Sequence, residues 1–88
     1  MSQIQERYRP RVMAANSTLV LPASADIGGF LAKTDGTITV VDSNGDTVLN
    51  AVPVSAGIYT PCPFLLSGGG ADSSVTLAGG ASGTLGTY

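Results

Sequence analysis

From Ser17 to the C-terminus this chain never sustains a helical period over ten residues; short β-prone runs follow one another, separated by glycine-containing turns. That pattern specifies an all-β body. Its clearest piece runs from Gly29 to Val52, where Asp35-Gly36 and Asn44-Gly45 each suit a two-residue hairpin loop with positive φ at both central positions. Two such turns predict a three-strand meander in which Leu31 faces Val40 and Val40 faces Leu49. Phe30, Val41 and Val48 form the neighbouring row on the opposite face. With apolar residues on both sides, each face of the meander must be covered.

The second half supplies one cover. Pro53 to Tyr59, Phe64-Leu65-Leu66, Ser73 to Leu77 and a last run from Thr84 read as further short strands. A proline cannot donate a ladder hydrogen bond, so Pro53, Pro61 and Pro63 belong at edges, bends or strand starts. Gly68-Gly69-Gly70 is a connector, since neither the spacing of a phosphate-binding loop nor a following helix accompanies it. The expected fold is an all-β small sandwich or flattened barrel of roughly six to eight short strands. Self-association through the row Phe30, Val41 and Val48 would cover the other face.

Charge divides the chain differently. Residues 1 to 11 hold Arg7, Arg9 and Arg11 against Glu6, a net of +2, whereas residues 12 to 88 hold Lys33 against Asp26, Asp35, Asp42, Asp46 and Asp72, a net of −4. Pro10 disfavours helix at Arg9, so residues 1–16 are expected as an extended N-terminal arm ahead of a single small β domain at 17–88. Arg offers bidentate pairing and Tyr offers buriable area, which makes Arg7, Tyr8, Arg9 and Arg11 the candidate partner-binding residues. Segregated charge steers association with a larger partner. Nucleic acid is not expected as that partner, because five aspartates oppose one small basic cluster, which leaves room only for local phosphate contact by the arm.

A body of this size gains little net stability from its core alone. One cysteine and no histidine leave no intrachain disulfide and no usual zinc site, so oligomerisation or docking is the expected support. Only 11% of the residues are charged and the mean hydropathy is +0.29, which describes neutral, buriable surfaces. No apolar run approaches the length of a membrane span, and Asn16-Ser17-Thr18 interrupts the only stretch that resembles a signal segment. A soluble product of the cytoplasm is expected.

Catalytic constellations are missing. Without histidine the usual general base is absent, and Lys33 beside the Asp35-Gly36 turn reads as a solvated charge. Asp42-Ser43-Asn44-Gly45-Asp46 begins like a calcium loop, but its glycine stands fourth rather than sixth and Pro53 occupies the twelfth position, so a hairpin is expected there. Cys62, between two prolines and without a cationic neighbour, reads as a small buried hydrophobe. Neither a catalytic, a metal nor a cofactor site is expected.

Four strings carry a likeness: Ile27-Gly28-Gly29-Phe30-Leu31-Ala32, Asp35-Gly36-Thr37-Ile38-Thr39-Val40, Ala51-Val52-Pro53-Val54 through Tyr59, and Val75 to Thr84. Through them, over roughly residues 16–88, the chain resembles small virion structural proteins of tailed bacteriophages of the decoration, cement or head-fibre type. The resemblance implies a non-enzymatic role on the capsid surface, in contact with the major capsid protein, often as a homotrimer, after synthesis in the host cytoplasm. A neck, tail or fibre-base component is the alternative. A secreted binding module fits less well, because the chain has no tryptophan.

Overall fold

The computed structural model describes residues 9–87 and contains eight strands and no helix among them. They are β1 (Arg9–Met13), β2 (Thr18–Leu21), β3 (Ile27–Thr34), β4 (Gly36–Val41), β5 (Thr47–Val54), β6 (Tyr59–Pro61), β7 (Ser73–Ala78) and β8 (Ser82–Thr87). Two four-stranded antiparallel sheets form, in the orders β1-β8-β3-β6 and β2-β7-β4-β5. The pairs β1·β8, β2·β7, β3·β6 and β4·β5 make one long antiparallel ribbon. Wrapping that ribbon brings β8 beside β3 and β7 beside β4, which closes the arrangement of a jelly roll.

Alternation along the strands builds the core. In β4, Ile38 and Val40 are buried while Thr37, Thr39 and Val41 are only partly covered; in β7, Ser73, Val75 and Leu77 are buried and Ser74 and Thr76 are not. Phe30 and Leu85 from the first sheet meet Ile38, Val40, Val75 and Leu77 from the second in one cluster, closed by Met13, Leu21, Ile27, Val54 and Leu66. Cys62 is buried at its margin, as a small hydrophobe should be.

The expected meander is half right. Asn44-Gly45 does turn β4 into β5, and Val40 does pair with Leu49. Only Gly45 has positive φ (85°), however; Gly45 N–H donates to Asp42 C=O at 3.1 Å, and Asp42 N–H to Asp46 C=O at 2.9 Å. The Asp42 Oδ1 accepts from Asn44 N and Asp46 N, so the aspartate fills the turn in place of a second left-handed residue.

At Asp35-Gly36 the chain switches sheets instead of forming a hairpin. Leu31 pairs with Thr84 and Tyr59, not with Val40. Stacking β3 over β4, rather than beside it, buries Phe30 and Val40 in a shared interior, where the flat meander would have left an apolar face to solvent. The β domain also starts earlier than residue 17, since Arg9–Met13 of the expected arm is an edge strand paired with β8. Pro10, Pro53 and Pro61 lie in the edge strands β1, β5 and β6, and Pro22 follows the fourth edge strand, β2.

The loops gather at two ends. One end carries the short connections after β1, β3, β5 and β7, cross-linked by Asn16 Oδ1 accepting from Gly80 N at 2.8 Å and Asp35 Oδ1 accepting from Ala56 N at 2.8 Å. The other carries the connections at 22–26, 42–46 and 62–72, together with Arg9 and Thr87.

Candidate docking face

One row of side chains crosses the outer surface of the first sheet. Val12 in β1 pairs with Thr84 in β8, Thr84 with Leu31 in β3, and Leu31 with Tyr59 in β6. Because side chains alternate and Phe30, Leu85 and Met13 point inward, this row points outward. Val12 is 85%, Leu31 47% and Tyr59 48% exposed, and Ile58 beside them is 59% exposed. The next outward row is Pro10, Gly86, Gly29 and Pro61. Gly29 is required there, because a Cβ would meet the Tyr59 hydroxyl at 2.5 Å; its absence lets the ring lie along the strand.

At the short-loop end this surface hollows into a groove of about 730 Å³, with Val12, Ala14, Leu31 and Gly57 among its apolar lining and Ser82, Thr84 and Lys33 as polar members. Lys33 is its charged lining residue. Such a surface suits burial against another macromolecule.

Of the candidate contacts, Arg9 and Arg11 are exposed on β1. Their partners, Thr87 and Leu85, are buried, so both arginines stand on the inward-facing side of an edge strand, alternating with outward Pro10 and Val12. Charges placed so discourage pairing by a foreign strand. Arg7 and Tyr8 lie outside the described residues. The expected self-association row is not a row. Phe30 is 1% exposed inside the core, which removes it from any surface, while Val41 and Val48 are partly buried in the second sheet. Phe30 leaves the row through the sheet switch at Asp35-Gly36, and Val41 pairs with Thr47 instead of Val48 through the register shift after Val40.

Sequence reasoning missed the outward trio Val12, Leu31 and Tyr59, since only the pairing of β1 with β8 and β8 with β3 brings them together. It also missed the built loop at the other end. Asp26 receives Leu66 N at 2.7 Å and Ser67 N at 2.9 Å on Oδ1 and the Ser67 hydroxyl at 2.9 Å on Oδ2. Burial alone would raise the Asp26 pKa, but the backbone donors of Ser67 and Leu66 and the Ser67 hydroxyl outweigh it, and the net shift is downward. Ser43, 1% exposed, donates through N (2.9 Å) and Oγ to the Leu66 carbonyl; its Oγ accepts from Gly69 N at 2.7 Å and its carbonyl from Ala71 N at 3.0 Å. Gly69 permits this approach, because a Cβ there would strike the Ser43 backbone.

Among the described residues no three His, Cys, Asp or Glu side chains gather as metal ligands. The Asp42–Asp46 loop spends its Asp42 carboxylate on its own backbone. Comparisons with protein families, curated proteins and solved structures found no match for this chain.

Proposed function

We propose that this chain is a non-enzymatic virion structural protein that decorates a phage capsid, binding the major capsid protein on the head surface and stabilising the shell as a homotrimer. The observation that carries the reading is the outer face of the first sheet, with its exposed apolar row from Val12 through Leu31 to Tyr59 and one cationic lining residue. A largely apolar concave face on a proline-edged sandwich favours stable docking of a larger surface. The jelly roll adds support by analogy of architecture, since viral capsid domains use it, although lectins and cupins use it as well. Residues 1–8, with Arg7 and Tyr8, precede β1 at the rim of the same sheet and would extend the contact.

Co-sedimentation with capsids lacking the protein tests this reading. The truncation to compare is removal of residues 1–8, because deleting further would strip β1 from the sheet. Saturable binding at a stoichiometry matching the capsid lattice, reduced by the truncation and abolished by Leu31→Asp, is the expected result. A few copies per particle would place the protein at a neck, tail or fibre base. No binding at all would refute a virion-surface role.

A further inference from the structure

At the long-loop end the strand β6 runs into Cys62, which is buried and whose N–H donates to Gly28 C=O at 3.0 Å. Four residues later Leu66 is held again, its side chain 1% exposed, its N–H on Asp26 and its carbonyl on Ser43. Between the two anchors Pro63, Phe64 and Leu65 stand out from the molecule, with Phe64 49% and Leu65 77% exposed. Proline at both Pro61 and Pro63 restricts the approach. An apolar knob fixed at both feet loses little entropy when it is buried, which is the condition for a binding anchor.

The groove lies at the other end of the same sheet. Asp26, beside the knob, precedes the first residue of β3, and Lys33, beside the groove, stands at its end. Cys62, where the knob leaves β6, is hydrogen-bonded to Gly28, and Leu31 in the groove stands three residues further along β3, about 10 Å at ~3.3 Å per residue, with Lys33 beyond it. A knob tied at both feet to the long-loop end cannot reach the groove of its own copy. We propose that copies of this chain associate head to tail, the Pro63–Leu65 knob of one seated in the Val12–Leu31 groove of the next.

Charge agrees with that direction. Exposed Asp46 and Asp72 lie in the connections surrounding the knob, and Lys33 lines the groove that would receive it. The groove volume, about 730 Å³, falls within the ~300–1,000 Å³ of pockets that enclose a compact apolar ligand. Edge-to-edge pairing, the other general route for β domains, meets Pro10, Pro53 and Pro61 in the edge strands. One phenylalanine buries roughly 150–250 Å², and with Leu65 the contact stays below the ~800 Å² per partner of a standard interface. A single contact is therefore weak, and heterologous contacts persist when they close into a ring, in which every knob and every groove is filled. This rests on the self-association within the capsid reading and deepens it: the neighbouring copy takes the Val12–Leu31 end of the face, and the β6 side of the same sheet, with Tyr59, is left to the shell.

Sedimentation velocity up to about 1 mM protein, where contacts of about 4 kcal/mol are half formed, tests it. The wild type is expected to gain mass with concentration, while Leu65→Asp and Val12→Asp, both at exposed positions, remain monomeric with unchanged thermal midpoints. Mixing the two variants is decisive. Val12→Asp keeps a knob and Leu65→Asp keeps a groove, so the mixture should form a one-to-one dimer and nothing larger. A wild type that stays monomeric, variants that assemble like it, or a mixture that remains monomeric would each overturn the proposal. A monomeric wild type that still saturates capsids would sink head-to-tail assembly alone. Assembly in solution without capsid binding would sink the capsid reading alone.

Discussion

Asp26 and Ser43 show how two small polar side chains can order a connection of eleven residues. The loop at 62–72 has no ladder of its own, and its central backbone groups are satisfied by these two side chains and by the Ser43 backbone. Since the folded Asp26 pKa is depressed, its contribution to stability is fully present above the unfolded value and is lost as the pH falls through the folded one. Denaturant unfolding of the wild type should therefore weaken as the pH is lowered below about 4, and Asp26→Asn should remove that component of the pH dependence. At neutral pH the same variant should cost about 1–2 kcal/mol, the worth of hydrogen bonds to a charged acceptor in a partly exposed site. An unchanged acid profile in Asp26→Asn would show that other carboxylates govern it.

At the scale of strands, the prolines carry a specificity that stability alone does not require. In sheets of four strands half the strands are edges, and here each edge strand contains or is followed by proline. Replacing Pro10 and Pro53 together by valine should leave the thermal midpoint within a few degrees but speed the growth of light scattering at high concentration. Equal solubility would mean that Arg9 and Arg11 suffice to guard β1. Pro10 lay in the expected arm, but the edge roles of Pro53 and Pro61 were legible in the sequence, because a missing N–H excludes a residue from a ladder whatever the topology. So were the strands around Asn44-Gly45 and the pairing of Val40 with Leu49, which are set by local turn chemistry. The fate of Asp35-Gly36 was not. The same dipeptide serves a hairpin or a sheet switch, and the choice rests on distant partners, with Thr84 and Tyr59 claiming Leu31. The docking face was illegible for the same reason, since Val12 and Leu31 become neighbours only through β8.

On the scale of the whole molecule, the order β1-β8-β3-β6 over β2-β7-β4-β5 places the last two strands in the middle of both sheets. Folding therefore waits on contacts far apart in sequence, and refolding in the millisecond-to-second range of other non-local β domains is expected. A fragment of residues 1–72 should lack a cooperative unfolding transition, and a peptide of residues 73–88 added to it should restore the β spectrum and the transition. A fragment that folds unaided would mean that β3 to β6 form a sufficient core.

The central position of β7 and β8 also fixes what happens during translation. β1 and β2 are made before the other strands of the domain, yet they pair only with β8 and β7, the two made after all the others. The nascent chain thus leaves β1 and β2 without their partners until β7 and β8 have been made. Folding of this domain therefore follows the emergence of β7 and β8, and its earliest-made strands are the ones that nascent-chain chaperones have the longest time to hold.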